Sequence, residues 1–168
     1  MFEDFFHKLS TFVVNFLYYN HIGNLTIGYN KEWKQTIDNG PLFNQTFHQI
    51  PFRKMLNMFK YKCEKCGINY VEVNESHTSK CDALAFESIC HHDSYMGKRR
   101  KRGMFLSSTG KMLNADVNGA LNIMRNSFGD DVVRRLIRNN PLIFSPKRIN
   151  KIFDFNYSND FLKSINKI

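Results

Sequence analysis

The sequence predicts a mixed α/β fold, and three observations carry that prediction. Apolar residues recur at helical spacing over residues 3–20 and 43–66. The segment Ile68-Asn-Tyr-Val-Glu-Val-Asn-Glu75 alternates as a half-buried strand does. Two short pieces, Met104–Leu106 and Lys111–Leu113, bracket the turn Ser107–Gly110 and read as a β-hairpin leading into another helix. At 168 residues, 42% hydrophobic and 14% aromatic with 16 Phe, the chain has enough apolar surface for a core. That composition excludes a disordered chain, and the length argues against several full domains. The 24 Lys and Arg against 15 Asp and Glu leave a net charge of +9, which points to a polyanionic partner, nucleic acid first. A solvated basic surface is the plainer reading of the same charge.

Taken in order, Phe5, Leu9, Phe12 and Phe16 form an apolar stripe with Val13 and Leu17 beside it, and Gly23 is the expected stop of this first helix. Leu25–Tyr29 reads as a short strand, and Asp38–Pro41 as a loop. In the second helical region Phe43, Phe47 and Ile50 share a face, as do Phe52, Met55, Leu56 and Phe59. Pro51 restarts or kinks it and Gly67 ends it. On the next strand Val71, Val73 and Glu75 point to one face, which sets a carboxylate among apolar residues at the strand's C-terminal end.

Residues 76–102 read as irregular and increasingly basic, ending in the cationic run Lys98-Arg99-Arg100-Lys101-Arg102. Asn114 is placed to cap a helix running to about Arg125, with Asp116 in its first turn bordering the buried side. A further helix is expected over Asp131–Arg138, before a polar tail containing Pro141 and Pro146.

The N-terminus is acidic where a secretory signal would be basic, and the apolar stretch Phe12–Tyr19 is too short to span a bilayer. A cytoplasmic protein is expected, nucleoid-associated if it binds DNA, with no membrane partner. Four cysteines in such a chain are expected to be free thiols or metal ligands.

Glu75 and Asp116 are the sharpest pair of candidate site residues. Two carboxylates converging on one point bind Mg²⁺ or Mn²⁺, because hard cations want oxygen ligands. Spacing alone equally allows a surface strand residue and an acid that complements a helix dipole.

The segment Asn114-Ala-Asp-Val-Asn-Gly-Ala-Leu-Asn-Ile-Met124 resembles the third RuvC motif of the TnpB (OrfB) transposon-encoded nucleases. Ile27–Gln35, Asn44–Phe47 with Ile50–Phe52, Tyr61–Glu64 with Gly67-Ile68, and Glu75–Lys80 resemble further segments of the family in the same order. Tyr95–Arg99 and Arg102–Phe105 resemble a branch with an altered zinc-ribbon insertion. The resemblance covers roughly residues 7–140.

It implies a partial RuvC/RNase H-like α/β domain, late strands and helices only, carrying that insertion. It also implies metal-dependent DNA cleavage guided by RNA, with DNA and guide RNA as partners. Glu75 and Asp116 would be catalytic ligands of Mg²⁺ or Mn²⁺, with Asn118 and Asn122 as supporting polar residues. Lys98, Arg99, Arg100, Lys101 and Arg102, with Lys34, would hold nucleic acid phosphates.

The implied organisation is 1–75 up to the second motif, 76–113 the insertion and hairpin, 114–140 the third-motif helix and its successor, and 141–168 the tail. Cys81, Cys90, His91 and His92 are the candidate Zn²⁺ ligands in the insertion, although they lack a CxxC pair. Cys63-x-x-Cys66 has zinc-knuckle spacing but falls at a helix end.

The family's first motif, a strand bearing Asp-x-Gly, has no counterpart upstream of residue 20. The chain is therefore expected to be a truncated member with impaired cleavage. The alternative is a non-catalytic nucleic-acid-binding remnant, or half of a split protein completed by an upstream fragment.

Overall fold

A computed structural model describes residues 2–30 and 51–140. The elements are α1 (Phe2–Tyr19), β1 (Asn24–Gly28), α2 (Phe52–Lys65), β2 (Asn69–Val73), β3 (Lys98–Lys101), β4 (Met104–Leu106), β5 (Met112–Asn114), α3 (Ala115–Phe128) and α4 (Asp130–Asn139). The mixed α/β class stands. Contacts divide these residues into two compact units, one made of 2–23 with 51–68 and one of 24–30 with 69–140.

The first unit is the pair α1 and α2. Phe6, Phe12, Val14 and Leu17 are buried on one helix, and Leu56, Met58, Phe59 and Cys63 on the other. The stripe expected on α1 is rotated by about one residue, since Phe6 and Ser10 turn inward while Phe5 is exposed. The cause is polar. The Lys62 ammonium on α2 donates to the His7 carbonyl, Ser10 Oγ and Thr11 Oγ1 at 2.7–2.8 Å. Ser10 Oγ in turn donates to the Phe6 carbonyl. A periodicity count over apolar residues does not register that clamp.

The helix ends follow backbone chemistry. Helix α1 ends at Tyr19 and the chain turns away at His21, whose φ of +55° is left-handed, before it reaches Gly23. The His21 and Ile22 N–H groups donate to Tyr18 and Leu17 carbonyls, and the Asn20 side chain closes on the Phe16 carbonyl. Helix α2 ends in a Schellman motif, with Gly67 at φ +67°, Gly67 N–H donating to Glu64 and Ile68 N–H to Cys63. Cys63 and Cys66 are consequently helix-terminal residues.

The second unit holds both sheets. Strands β1 and β2 pair in parallel, from Asn24 opposite Asn69 to Gly28 opposite Val73. Strands β3, β4 and β5 form an antiparallel meander with a bulge between Arg99 and Lys101. The cationic run, expected to be irregular, is thus the edge strand β3. Gly103, at φ +76°, makes the tight return to β4 that permits this pairing. Long cations on an edge strand also deter pairing with other sheets.

Asn114 caps α3 as expected, its side chain accepting from the Asp116 and Val117 N–H groups. Helix α3 packs on both sheets and on α4, around a core of Ala83, Phe105, Leu113, Ala115, Leu121 and Val133. Among the described residues no helix is long and apolar enough to cross a membrane.

Candidate nucleic-acid interface

The site is built outward from the inner face of α3. Asn118, Asn122 and Arg125 follow one another at helical spacing and are buried, the two asparagines completely. Asn118 Nδ2 donates to the Cys81 carbonyl at 2.9 Å, and its Oδ1 accepts from the Ala83 N–H at 3.1 Å. Asn122 Nδ2 donates to the Thr78 and Cys81 carbonyls, both at 2.8 Å. Arg125 Nη1 donates to the Glu87 carbonyl and to Asn122 Oδ1, while its Nε pairs with Asp130 at 2.7 Å. Segment 78–87 is therefore held by hydrogen bonds from one helix face.

Two buried carboxylates extend the network. Asp82 accepts from Ser107 Oγ, Ser108 Oγ and the N–H groups of Leu84, Ala85 and Ser108. Glu87 accepts from the Asp82 and Met96 N–H groups. Backbone and hydroxyl donors satisfy these charges, a charge-assisted arrangement that makes burial tolerable. Through Ser107 and Ser108 the segment grips the β4–β5 turn. Through Met96 it grips the approach to β3.

That approach carries the cations outward. Lys98, Arg99, Arg100, Lys101 and Arg102 are all exposed, so the expected basic patch is presented to solvent. Lys34 lies outside the described residues. Beside the patch, Tyr95 is steadied by its hydroxyl against His77 Nδ1 at 3.2 Å and by an edge contact with the His92 ring at 5.3 Å. Sequence reasoning assigned no role to Tyr95, Lys80, Asp82 or Glu87. It named Asn118 and Asn122 only as supporting residues.

Glu75 lies two residues beyond β2, against Gly28 of β1. A Cβ at Gly28 would stand 2.8 Å from Glu75 Oε2 and 2.6 Å from Ile123 Cδ1, so only glycine leaves room there. Burial raises the Glu75 carboxyl above the usual range. Its carboxylate has no hydrogen-bond or ion-pair partner among the described residues.

Asp116 is exposed, which corrects its expected place at the buried border. The inward positions of that first turn go to Ala115 and Asn118. Glu75 meets α3 at the level of Ile123, and Asp116 stands seven residues earlier, about 10 Å along the axis.

The zinc candidates do not assemble. Among the described residues no three His, Cys, Asp or Glu side chains form a metal-binding group. Cys81 is fully buried beneath α3, where the bonds to its carbonyl draw it, and its Sγ donates to the Cys90 carbonyl at 3.6 Å. Burial pushes its thiol pKa up, away from the thiolate that zinc takes. Cys90 Sγ meets His92 Nε2 at 3.4 Å, but His92 also contacts the Ser88 carbonyl and His91 packs edge-on against His77.

Residues 52–123 match the family described as the Cas12f1-like TNB domain. Over 79 residues the chain is 32% identical to a TnpB-like protein, ORF457, of Acidianus two-tailed virus. The chain also resembles Cas12f1 as seen in a cryo-EM complex with sgRNA and target DNA, at a TM-score of 0.52 and 18% identity over 74% of its length. That likeness concerns the fold. The viral match takes in 47% of the chain but 16% of the viral protein, and the structural match covers 34% of the Cas12f1 chain. The segment matched to the Cas12f1-like family includes Asp82, Glu87, Tyr95, the basic strand and the asparagines of α3.

Proposed function

We propose that this chain serves as a nucleic-acid-holding part of an RNA-guided DNA nuclease of the TnpB type, with DNA and guide RNA as its partners. The observation that carries this reading is the exposed basic strand β3 with Arg102, standing within the family-matched residues. Cations spaced along a strand neutralise successive phosphates without reading bases. The test is binding to labelled DNA as a function of salt. Replacing Lys98, Arg99, Arg100, Lys101 and Arg102 together by Gln is expected to flatten the log–log salt slope by about 3.5–4.5, at roughly 0.7–0.9 for each phosphate no longer neutralised. An unchanged affinity and slope would overturn it.

Within the same reading, β1, β2 and α3 are the RuvC-like part and residues 76–113 an altered zinc-ribbon insertion. Glu75 and Asp116 are the proposed ligands of Mg²⁺ or Mn²⁺. The support is a half-buried, unpartnered carboxylate at the C-terminal end of a parallel strand pair, where open α/β sheets bind ligands. A metal held there supplies Lewis-acid activation of water and phosphate. What this chain contributes is two carboxylates that have no protein partner among the described residues, Glu75 beside Ile123 and Asp116 about 10 Å away along the axis of α3. Mn²⁺ titration followed by paramagnetic broadening should show weaker binding in Glu75→Gln and in Asp116→Asn, each of which removes the oxygen ligand at one position. Unaltered broadening in both variants would defeat the assignment, whatever the cleavage assay shows.

A further inference from the structure

A cleft of about 370 Å³ opens beside β3. Its floor is Phe105, 1% exposed, and Gly97, where a Cβ would run into the Phe105 ring. Glycine therefore lets the chain pass directly over the Phe105 ring, and the floor stays apolar. One wall is the ring of Tyr95, and Lys80, Lys98 and Arg99 stand around the opening. Arg99 pairs directly with Phe105 across the sheet, so both lie on one face.

We infer that this cleft takes one unstacked nucleotide of a single strand, its base on the Tyr95 ring and its flanking phosphates on Lys80, Lys98 and Arg99. This rests on the nucleic-acid reading above and names where a base is held. The cleft is of the size that takes one small ligand. Apolar floor, steadied ring and three cations together match a base joined to phosphates. An acidic peptide would use the cations and leave the ring idle. Bases in a duplex already stack on their neighbours, whereas an unpaired base has a free face for an aromatic side chain. The Lys80 ammonium stands 5.9 Å above the Tyr95 ring. It is a long, exposed side chain, which an arriving base displaces toward the phosphate.

The test compares an oligothymidylate strand with a duplex of equal length, using the full chain and fluorescence anisotropy. Tyr95→Leu removes the ring while keeping bulk, and should weaken single-strand binding about 5- to 150-fold, the range for losing one stacked base. Duplex binding should stay within about twofold, and the salt slope should be unaltered. Tyr95→Phe keeps the ring and its edge contact with His92, losing only the hydroxyl contact with His77, and should bind within about twofold of the parent, well short of the loss in Tyr95→Leu. Lys80→Gln and Arg99→Gln should each lower the single-strand salt slope by about 0.7. Near-ultraviolet circular dichroism checks that each variant is folded.

Equal losses for strand and duplex in Tyr95→Leu, or no loss in a folded variant, would overturn the nucleotide cleft and leave the basic-strand reading standing. A loss in Tyr95→Phe as large as in Tyr95→Leu would overturn it too, by assigning the effect to the hydroxyl. A parent chain that binds neither form would overturn both readings. Competition by poly-glutamate as strong as by the oligothymidylate would assign the cleft to acidic protein instead.

Discussion

Asn118→Asp changes one atom and no volume, yet it should unfold much of what α3 holds. In the native chain Asn118 Nδ2 donates to the Cys81 carbonyl at 2.9 Å, with the side chain fully buried. The substitution puts a carboxylate oxygen where that donor stood, so two acceptors face each other. The lost hydrogen bond is worth about 1 kcal/mol. A buried charge without a partner typically costs about 3–5 kcal/mol. The Ala83 N–H, 3.1 Å from Oδ1, still donates and becomes charge-assisted, which offsets about 1 kcal/mol. The net expectation is about 3–5 kcal/mol lost at pH 8.

The sign with pH follows from linkage. Protonating the new carboxyl restores a donor to the Cys81 carbonyl, so the folded state holds that proton more tightly than the unfolded chain does. The loss should therefore shrink on acidification, by about 1.4 kcal/mol per pH unit between the folded and unfolded pKa values. Urea unfolding of parent and variant, followed by circular dichroism at pH 5 and pH 8, measures it. A difference below about 1 kcal/mol at pH 8, or the same at both pH values, would refute the buried amide as the anchor of segment 78–87.

Three other outcomes follow from the same structure. Gly28→Ala should cost about 1–3 kcal/mol by overpacking, because its Cβ would lie within 3 Å of both Ile123 and Glu75; a melting temperature equal to the parent's would show that the gap relaxes freely. Burial raises the Glu75 carboxyl, so the folded state favours its protonated form and the stability it contributes is present below the usual carboxylate range and lost as pH rises through the raised value. Glu75→Gln should thus gain on the parent as pH rises, and a pH-independent difference in urea midpoint would count against this. In thiol labelling at pH 7.5 the exposed Cys90 should react first, while Cys63, buried and with its pKa pushed up to about 11, should react only on unfolding; rapid native labelling of Cys63 would contradict the packing of α1 on α2.

Local rules carried the elements well. Periodicity found α1 and α2, alternation found β2, and the cap of Asn114 and the stop at Gly67 were legible because each is a single-residue backbone requirement. What escaped was decided by partners distant in sequence. The inward face of α1 depends on Lys62, more than 50 residues away. The basic run is a strand because β4 pairs with it, and no alternation in five consecutive cations announces a strand. The exposure of Asp116 was a matter of helical phase, since the stripe chosen was apolar while the inward face is largely amide and guanidinium. Asn118, Asn122 and Arg125 do recur at i, i+4 and i+7, so the signal was present. It reads as a solvated face unless the buried carbonyls it serves are known.

That polar stripe explains more than stability. An apolar contact between α3 and segment 78–87 would be non-directional and would tolerate sliding. Amide groups aimed at the Thr78 and Cys81 carbonyls and at the Ala83 N–H allow one register only. From that register Asp82 reaches the β4–β5 turn and Glu87 reaches the Met96 N–H, immediately before Gly97 and β3. The positions of Tyr95 and of the basic strand thus depend on hydrogen bonds that begin on the helix bearing Asp116. Cysteine thiolates on a zinc ion would hold such an insertion by metal bonds. Here charge-assisted hydrogen bonds to Asp82 and Glu87 hold the described segment, which accounts for two carboxylates being buried in a chain whose surface is strongly basic.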